Sequence, residues 1–186
     1  MSLVELIAQA DERVLAASGL ACLDRCLPLL GGDDEVLRPL WATFVEGAAD
    51  GWSERLGQAR DALGGPGPDE GTEDDAARLA RGMLAAAPAV RSDGGVRAWA
   101  DSCSVASLRI HQLLDPAEDA SPVDSCRAGG TDGVSPLVAA ELRRQVTVIE
   151  LVGGHGPAGL LQALEVSAEG RRVLQAVVSR RARGRA

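Results

Sequence analysis

Aromatic side chains are almost missing from this chain: they make up 2% of 186 residues, with a single Phe, three Trp and no Tyr. A core without them must be built from Leu, Val and Ala, small enough to let helices approach closely. Trp41, Phe44, Trp52 and Trp99 are then the only large anchors available. Lys and Asn are absent as well, and Ile is scarce. Those residues have AT-rich codons, so the composition indicates a GC-rich bacterial genome. The four cysteines, Cys22, Cys26, Cys103 and Cys126, include no Cys-x-x-Cys pair. That removes the commonest zinc and redox spacings and leaves four reduced thiols in a cytosolic chain. No stretch approaches the roughly 18 consecutive apolar residues of a membrane span. The segment after Met1 carries Glu5, Asp11 and Glu12 rather than a basic start and an apolar run, so no secretory leader is read there and a cytoplasmic location is expected. Glycine-rich phosphate loops, nucleophile elbows and Glu-x-x-His pairs are also missing, and no cofactor or metal is expected.

A net charge of −8 argues against a nucleic-acid-binding surface over most of the molecule. The charge is uneven, because six Arg but only Glu165 and Glu169 lie from Pro157 onward.

What the sequence has in abundance is helical periodicity, and the stretch at 94–114 shows it best. Val96, Trp99, Cys103, Ala106, Ile110 and Leu113 alternate in steps of three and four, which places them on one stripe. A second stripe, Asp101, Ser104, Leu108, His111 and Asp115, runs beside it with acid, hydroxyl and imidazole. A helix with two such seams is expected to have neighbours on more than one side. Around it, Ser2 and Glu5 form a capping box that starts a helix reaching about Gly19. A short helix covers 20–30, stopped by Gly31 and Gly32. Asp33 and Asp34 cap a long pattern whose apolar face runs from Leu37 to Leu63, with Pro39 early in it and Gly47 and Gly51 as weak points. Thr72 and Asp75 cap the next helix, which ends at Pro88. Ser135 and Pro136 open a helix over 137–152, and Pro157 opens a last region, read as two segments meeting near Ser167 to Gly170. The reading is all-α: a single-domain helical bundle of about seven helices over 1–186, with the helix at 94–114 buried at its centre. Flexible segments are expected at 64–71, 116–134 and 180–186, where composition is rich in Gly, Pro or charge.

Three constellations suggest chemistry. Cys103 and His111 share a helix but lie eight residues apart, roughly 12 Å at 1.5 Å per residue, too far for one ion. Ser107, His111 and Asp115 form a nominal Ser-His-Asp line, yet a serine in mid-helix has no free backbone N–H beside it to build an oxyanion hole. Leu160 to Arg181 has the outline of a helix-turn-helix with its turn at Glu165-Val166-Ser167, although Glu165 stands where glycine is usual. Clustered acids at helix starts, such as Asp33-Asp34-Glu35 and Glu73-Asp74-Asp75, read as caps that the helix dipole favours.

Asp24-Arg25-Cys26-Leu27-Pro28 resembles the acid-Arg-x-x-Pro pattern of YjaG-like bacterial proteins, an all-helical family of unknown function. Leu37 to Trp41 is similar to a Trp-bearing helix that follows it there. Asp101-x-Cys103, with His111 eight residues beyond, resembles the family's central helix, and Val138-x-x-Glu141-x-x-x-Gln145 its penultimate one. Leu142 and Val146 stand where aromatic residues are expected, and Ala168-Glu169-Gly170-Arg171-Arg172 replaces an Asn-containing end. The resemblance implies a helical domain whose last segment packs on the rest, and it implies no reaction.

These readings favour a non-enzymatic interaction or regulatory protein with a protein partner or a second copy. The alternatives are a small-molecule-binding helical domain and a DNA-binding regulator using the Arg-rich C-terminal helix. The polar seam is expected to form a buried network of Arg25, Asp101, His111, Glu141 and Gln145. Such a network would fix helix register, because an unpaired buried polar group costs about 1–3 kcal/mol.

Overall fold

Ser2 caps the first helix, its Oγ accepting from the Glu5 N–H while the Glu5 carboxylate accepts from the Ser2 N–H at 2.7 Å. That helix is shorter than its apolar stripe suggests. In the computed structural model, which describes residues 1–45, 51–64, 75–115, 117 and 121–184, it stops at Gln9. Asp11 interrupts it by accepting from the Val14 N–H at 2.8 Å, which starts a new helix in a new direction. The first two elements are therefore α1 (Leu3–Gln9) and α2 (Glu12–Arg25), and α2 runs straight through Gly19, where the sequence suggested an end. The glycine is there for space: a Cβ on it would lie 2.7 Å from the Trp99 ring.

A 3₁₀ turn, Leu27–Leu29, follows α2. α3 (Arg38–Val45) begins only at Arg38, with Pro39 in its first turn. Asp33 does not cap it and instead accepts from the Glu35 N–H within the preceding turn. α4 (Trp52–Leu63) carries the second half of the predicted long face. Residues 46–50, including the weak point at Gly47, lie outside the described residues, as do 65–74 with most of the predicted linker and the Thr72 cap. α5 (Asp75–Ala85), α6 (Asp93–Leu114), α7 (Val123–Arg127), α8 (Pro136–Gly154) and α9 (Gly156–Gly184) complete the order. The described residues thus hold nine α-helices and no strand, against about seven expected, because the two longest N-terminal patterns are each divided and α7 was read as loop, while the helix expected at 20–30 is largely merged into α2. Within the predicted flexible segment 116–134, residues 116 and 118–120 lie outside the described residues, and α7 occupies part of the remainder. The predicted tail 180–186 continues α9 to Gly184, with 185–186 outside the described residues.

The helix enclosed on every side is α2, not α6. All residues from Val14 to Arg25 are buried, with α6, α8 and α9 packed along it. Its sequence hid this, since Ala16, Ala17, Ser18, Gly19, Ala21 and Cys22 are small all round and draw no stripe. α6 does have neighbours on several sides, α2, α5, α7 and α8, but it leaves Ala98, Ser102, Arg109 and Leu113 exposed.

The scarce aromatics line up in one row. Ring centroids of Trp41 and Phe44, Phe44 and Trp52, and Trp52 and Trp99 are 6.1, 6.0 and 6.1 Å apart in tilted or edge-on contacts. The Arg91 guanidinium lies over Phe44 at 4.9 Å from its centroid. Each indole N–H finds an acceptor: Trp41 the Asp24 carboxylate, Trp52 the Pro88 carbonyl, and Trp99 the Met83 carbonyl.

Arginine closes several helix ends from outside. Arg97 donates to the carbonyls of Ile7, Ala8 and Ala10 at the end of α1. Arg60 donates to those of Leu84, Ala85 and Ala87 at the end of α5, and Arg181 to that of Leu113 at the end of α6. Carbonyls in a last turn have no partner within their own helix, and the planar guanidinium fork reaches two or three of them at once. Arg60→Lys is therefore expected to destabilise the protein by about 1–2 kcal/mol even though charge is conserved. A lowered urea midpoint at unchanged slope checks this; an unchanged midpoint refutes it.

Candidate functional site

Four helices bring their polar residues to one point. The last turn of α2 supplies Arg25, α6 supplies Ser104, Ser107 and His111 on one face, and α8 supplies Glu141 and Gln145 at i and i+4. Arg127 of α7 enters from the side. Arg25 and Glu141 are fully buried and form a two-pronged pair: Nε donates to Glu141 Oε2 at 2.8 Å and Nη2 to Oε1 at 2.7 Å. Ser107 Oγ donates to the same Oε1 at 2.7 Å, and Gln145 Nε2 does so at 2.9 Å. Burial works to raise the Glu141 pKa, yet the Arg25 guanidinium, His111 and the hydrogen bonds from Arg25 and Gln145 hold it down to about 2.

His111 stands at the edge of this cluster. Its Nδ1 is 2.7 Å from the Ser107 carbonyl oxygen, which can only accept, so Nδ1 carries the proton. Nε2 faces Glu141 Oε2 at 3.6 Å. Burial lowers the His111 pKa below its ordinary value and outweighs the attraction of Glu141, so the ring is neutral at pH 7.

The network then runs outward. Gln145 Oε1 accepts from Ser104 Oγ at 2.7 Å, and Ser104 Oγ accepts from Arg127 Nε at 3.1 Å. Arg127 Nη2 closes on Asp101, whose side chain is 52% exposed, so the chain of bonds ends at the surface. A second buried acid, Asp24, accepts from Trp41 at 2.8 Å and pairs with Arg171 of α9, which also meets Asp34 at 3.2 Å.

Of the residues singled out in the sequence, Arg25, His111, Glu141 and Gln145 meet directly. Asp101 touches none of them and joins only through Arg127 and Ser104. Arg127 was missed because a five-residue helix is too short to show a period. Gly170 was read as part of a junction between two helical segments, whereas a Cβ there would lie 2.4 Å from Arg25 Cδ, so the glycine makes room for the arginine stem.

The Ser-His-Asp line does not assemble. Ser107 Oγ is committed to Glu141, His111 binds the Ser107 carbonyl instead of the hydroxyl, and Asp115 accepts from the backbone N–H groups of Leu137 and Ala117. The predicted turn at Glu165-Val166-Ser167 is uninterrupted helix, with Ser167 Oγ donating to the Ala163 carbonyl one turn back. Cys22, Cys26, Cys103 and Cys126 are buried and form no disulfide among the described residues. Burial pushes the Cys22 thiol up to about 12, and it raises Cys26 and Cys103 as well, which keeps these sulfurs protonated and unreactive. Among the described residues no group of three or more His, Cys, Asp or Glu side chains could hold a metal ion, and no helix is long and apolar enough to cross a membrane.

The arrangement sets a pH dependence. The unfolded chain binds a proton on His111 near 6.5, where the buried ring still resists it. This contribution is complete above that pH and is lost as pH falls below it. Glu141 adds a second loss from about 4.5 down toward 2, and Asp24, whose pKa burial raises despite Arg171 and Trp41, works in the opposite direction over the carboxylate range. Urea midpoints measured from pH 8 to 5 are expected to fall for the native protein and to stay flatter for His111→Gln. Parallel profiles would contradict the buried neutral ring.

No family model, curated protein or solved structure matches the chain.

Proposed function

We propose that this protein is a non-enzymatic helical interaction protein, cytoplasmic and regulatory, acting through its surface on a protein partner. One observation carries the reading: the groups able to do chemistry are spent on one another. Arg25, Ser107, His111, Glu141 and Gln145 are each 1% exposed or less, and Glu141 alone engages three of the others by hydrogen bonds. A substrate would have to displace these bonds to reach any of them. The residues that carry the likeness to YjaG-like proteins include Arg25, His111, Glu141 and Gln145, which supports reading that likeness as a shared interior. A DNA-contacting role for α9 has less support, since Arg171 is paired with two acids and Arg181 closes α6.

Native mass spectrometry of the protein isolated from its own host tests the reading. A discrete complex with a protein partner or a second copy is expected. A bare monomer at every concentration overturns it, and a monomer carrying a small-molecule adduct replaces it with the ligand-binding alternative.

A further inference from the structure

An open surface lies on the outer side of the α5 and α6 pair. A groove of about 590 Å³ runs between these helices. Its apolar floor is Leu79, Met83 and Ala106, and Leu113, 44% exposed, stands at one end. Arg78 and Arg109 flank that end. Arg78 is paired with Asp75 at 2.6 Å, whereas Arg109 is exposed and has no ion pair or hydrogen bond among the described residues. Two guanidinium groups against one carboxylate form a basic rim on a chain of net charge −8.

Resting on the interaction reading above, we propose that this groove docks an amphipathic helix of a partner protein whose apolar stripe is flanked by Asp or Glu. Shape and charge both select that occupant. The lining residues span roughly 12 Å of α5 and 16 Å of α6 at 1.5 Å per residue, which matches two to three turns of a third helix laid along the pair. A Cβ placed on Gly82, in the groove wall, would meet nothing within 4 Å, so a helix backbone has room to come close there. Apolar anchors at i, i+3 or i+4, and i+7 would reach Leu113, Ala106 and Leu79, and an acid beside them would pair with Arg109. A compact ligand would be left largely in water by a groove open along its length, and small-molecule sites enclose most of their occupant. A second copy docked symmetrically through the same face would set its own basic rim against this one, which disfavours it.

Synthetic 16-residue helical peptides test the proposal against the full chain by fluorescence anisotropy. One carries Leu at i, i+3, i+4 and i+7 with flanking Glu, one has Lys in place of Glu, and one is a scramble of the first. The Glu peptide is expected to bind at least tenfold more tightly than the other two and to weaken as salt rises. Arg109→Glu should reverse the preference between Glu and Lys peptides, and Leu113→Asp should weaken the Glu peptide at least tenfold. Both positions are exposed, so a circular dichroism spectrum like that of the native protein is expected. No binding at millimolar peptide, equal binding of the three, or indifference to both substitutions overturns the groove as docking site. So does a dimer that Leu113→Asp converts to monomer, which would give the face to a second copy. A native complex that survives Leu113→Asp refutes this groove and leaves the interaction reading standing; absence of any complex refutes the reading itself.

Discussion

Glu141→Gln is expected to destabilise the protein by about 3–5 kcal/mol, although it changes one side chain by a single atom. Glu141 is fully buried, and its carboxylate takes both prongs of a fully buried Arg25. An amide keeps the shape but offers one acceptor oxygen and an NH₂ that confronts the guanidinium. The Arg25 charge is then left in the interior without a counter-charge, and water has no easy way to it. Ser107 and Gln145, which also donate to Oε1, lose geometry at the same time. A loss of this size is a large share of the stability of an ordinary domain, so much of the variant is expected to be unfolded at 37 °C. Chemical denaturation monitored by far-ultraviolet circular dichroism measures it, and a midpoint close to that of the native protein would refute it.

The second large effect is expected at Gly170. A methyl group there would sit 2.4 Å from Arg25 Cδ and 3.0 Å from Arg144 Cδ. An arginine stem can often swing aside, but Arg25 cannot, because its guanidinium is fixed at 2.7 and 2.8 Å to Glu141. Either the pair breaks or α9 lifts from α2. Gly170→Ala, normally a gain in a helix interior, is therefore expected to cost about 1–3 kcal/mol, and Gly170→Val more. Gly184→Ala on the same helix has nothing within 4 Å of the new Cβ and serves as control. If Gly170→Ala matches that control, the close crossing of α9 over Arg25 is not what holds the helix in place.

Helical class could be read from periodicity because stripes such as that of α6 are long and regular. Boundaries were hidden wherever a single side-chain bond decided them: Asp11 divides α1 from α2 with one hydrogen bond, inside an unbroken apolar pattern. The burial of α2 was hidden for the opposite reason, since leucines and small residues spread around every face leave no polar side to contrast with an apolar one. For the network, Glu141 and Gln145 at i, i+4 and His111 on a polar seam could be found, because each is a polar group at a core-facing position. Arg127 could not, since its five-residue helix spans little more than one turn, so no position on it recurs often enough to show a period. The role of Gly170 was equally invisible, because a glycine that weakens a helix and one that admits a neighbour are the same letter.

The central claim is that the Arg25–Glu141 pair at the centre of the polar interior holds the helices in register. A double-mutant cycle tests it most directly: Arg25→Met, Glu141→Leu, and both together, each unfolded in urea at pH 7. Each single change is expected to cost about 3–5 kcal/mol, and the double variant, which replaces the pair by apolar groups, should recover most of that loss and remain folded. A double variant whose loss equals the sum of the singles would contradict the account.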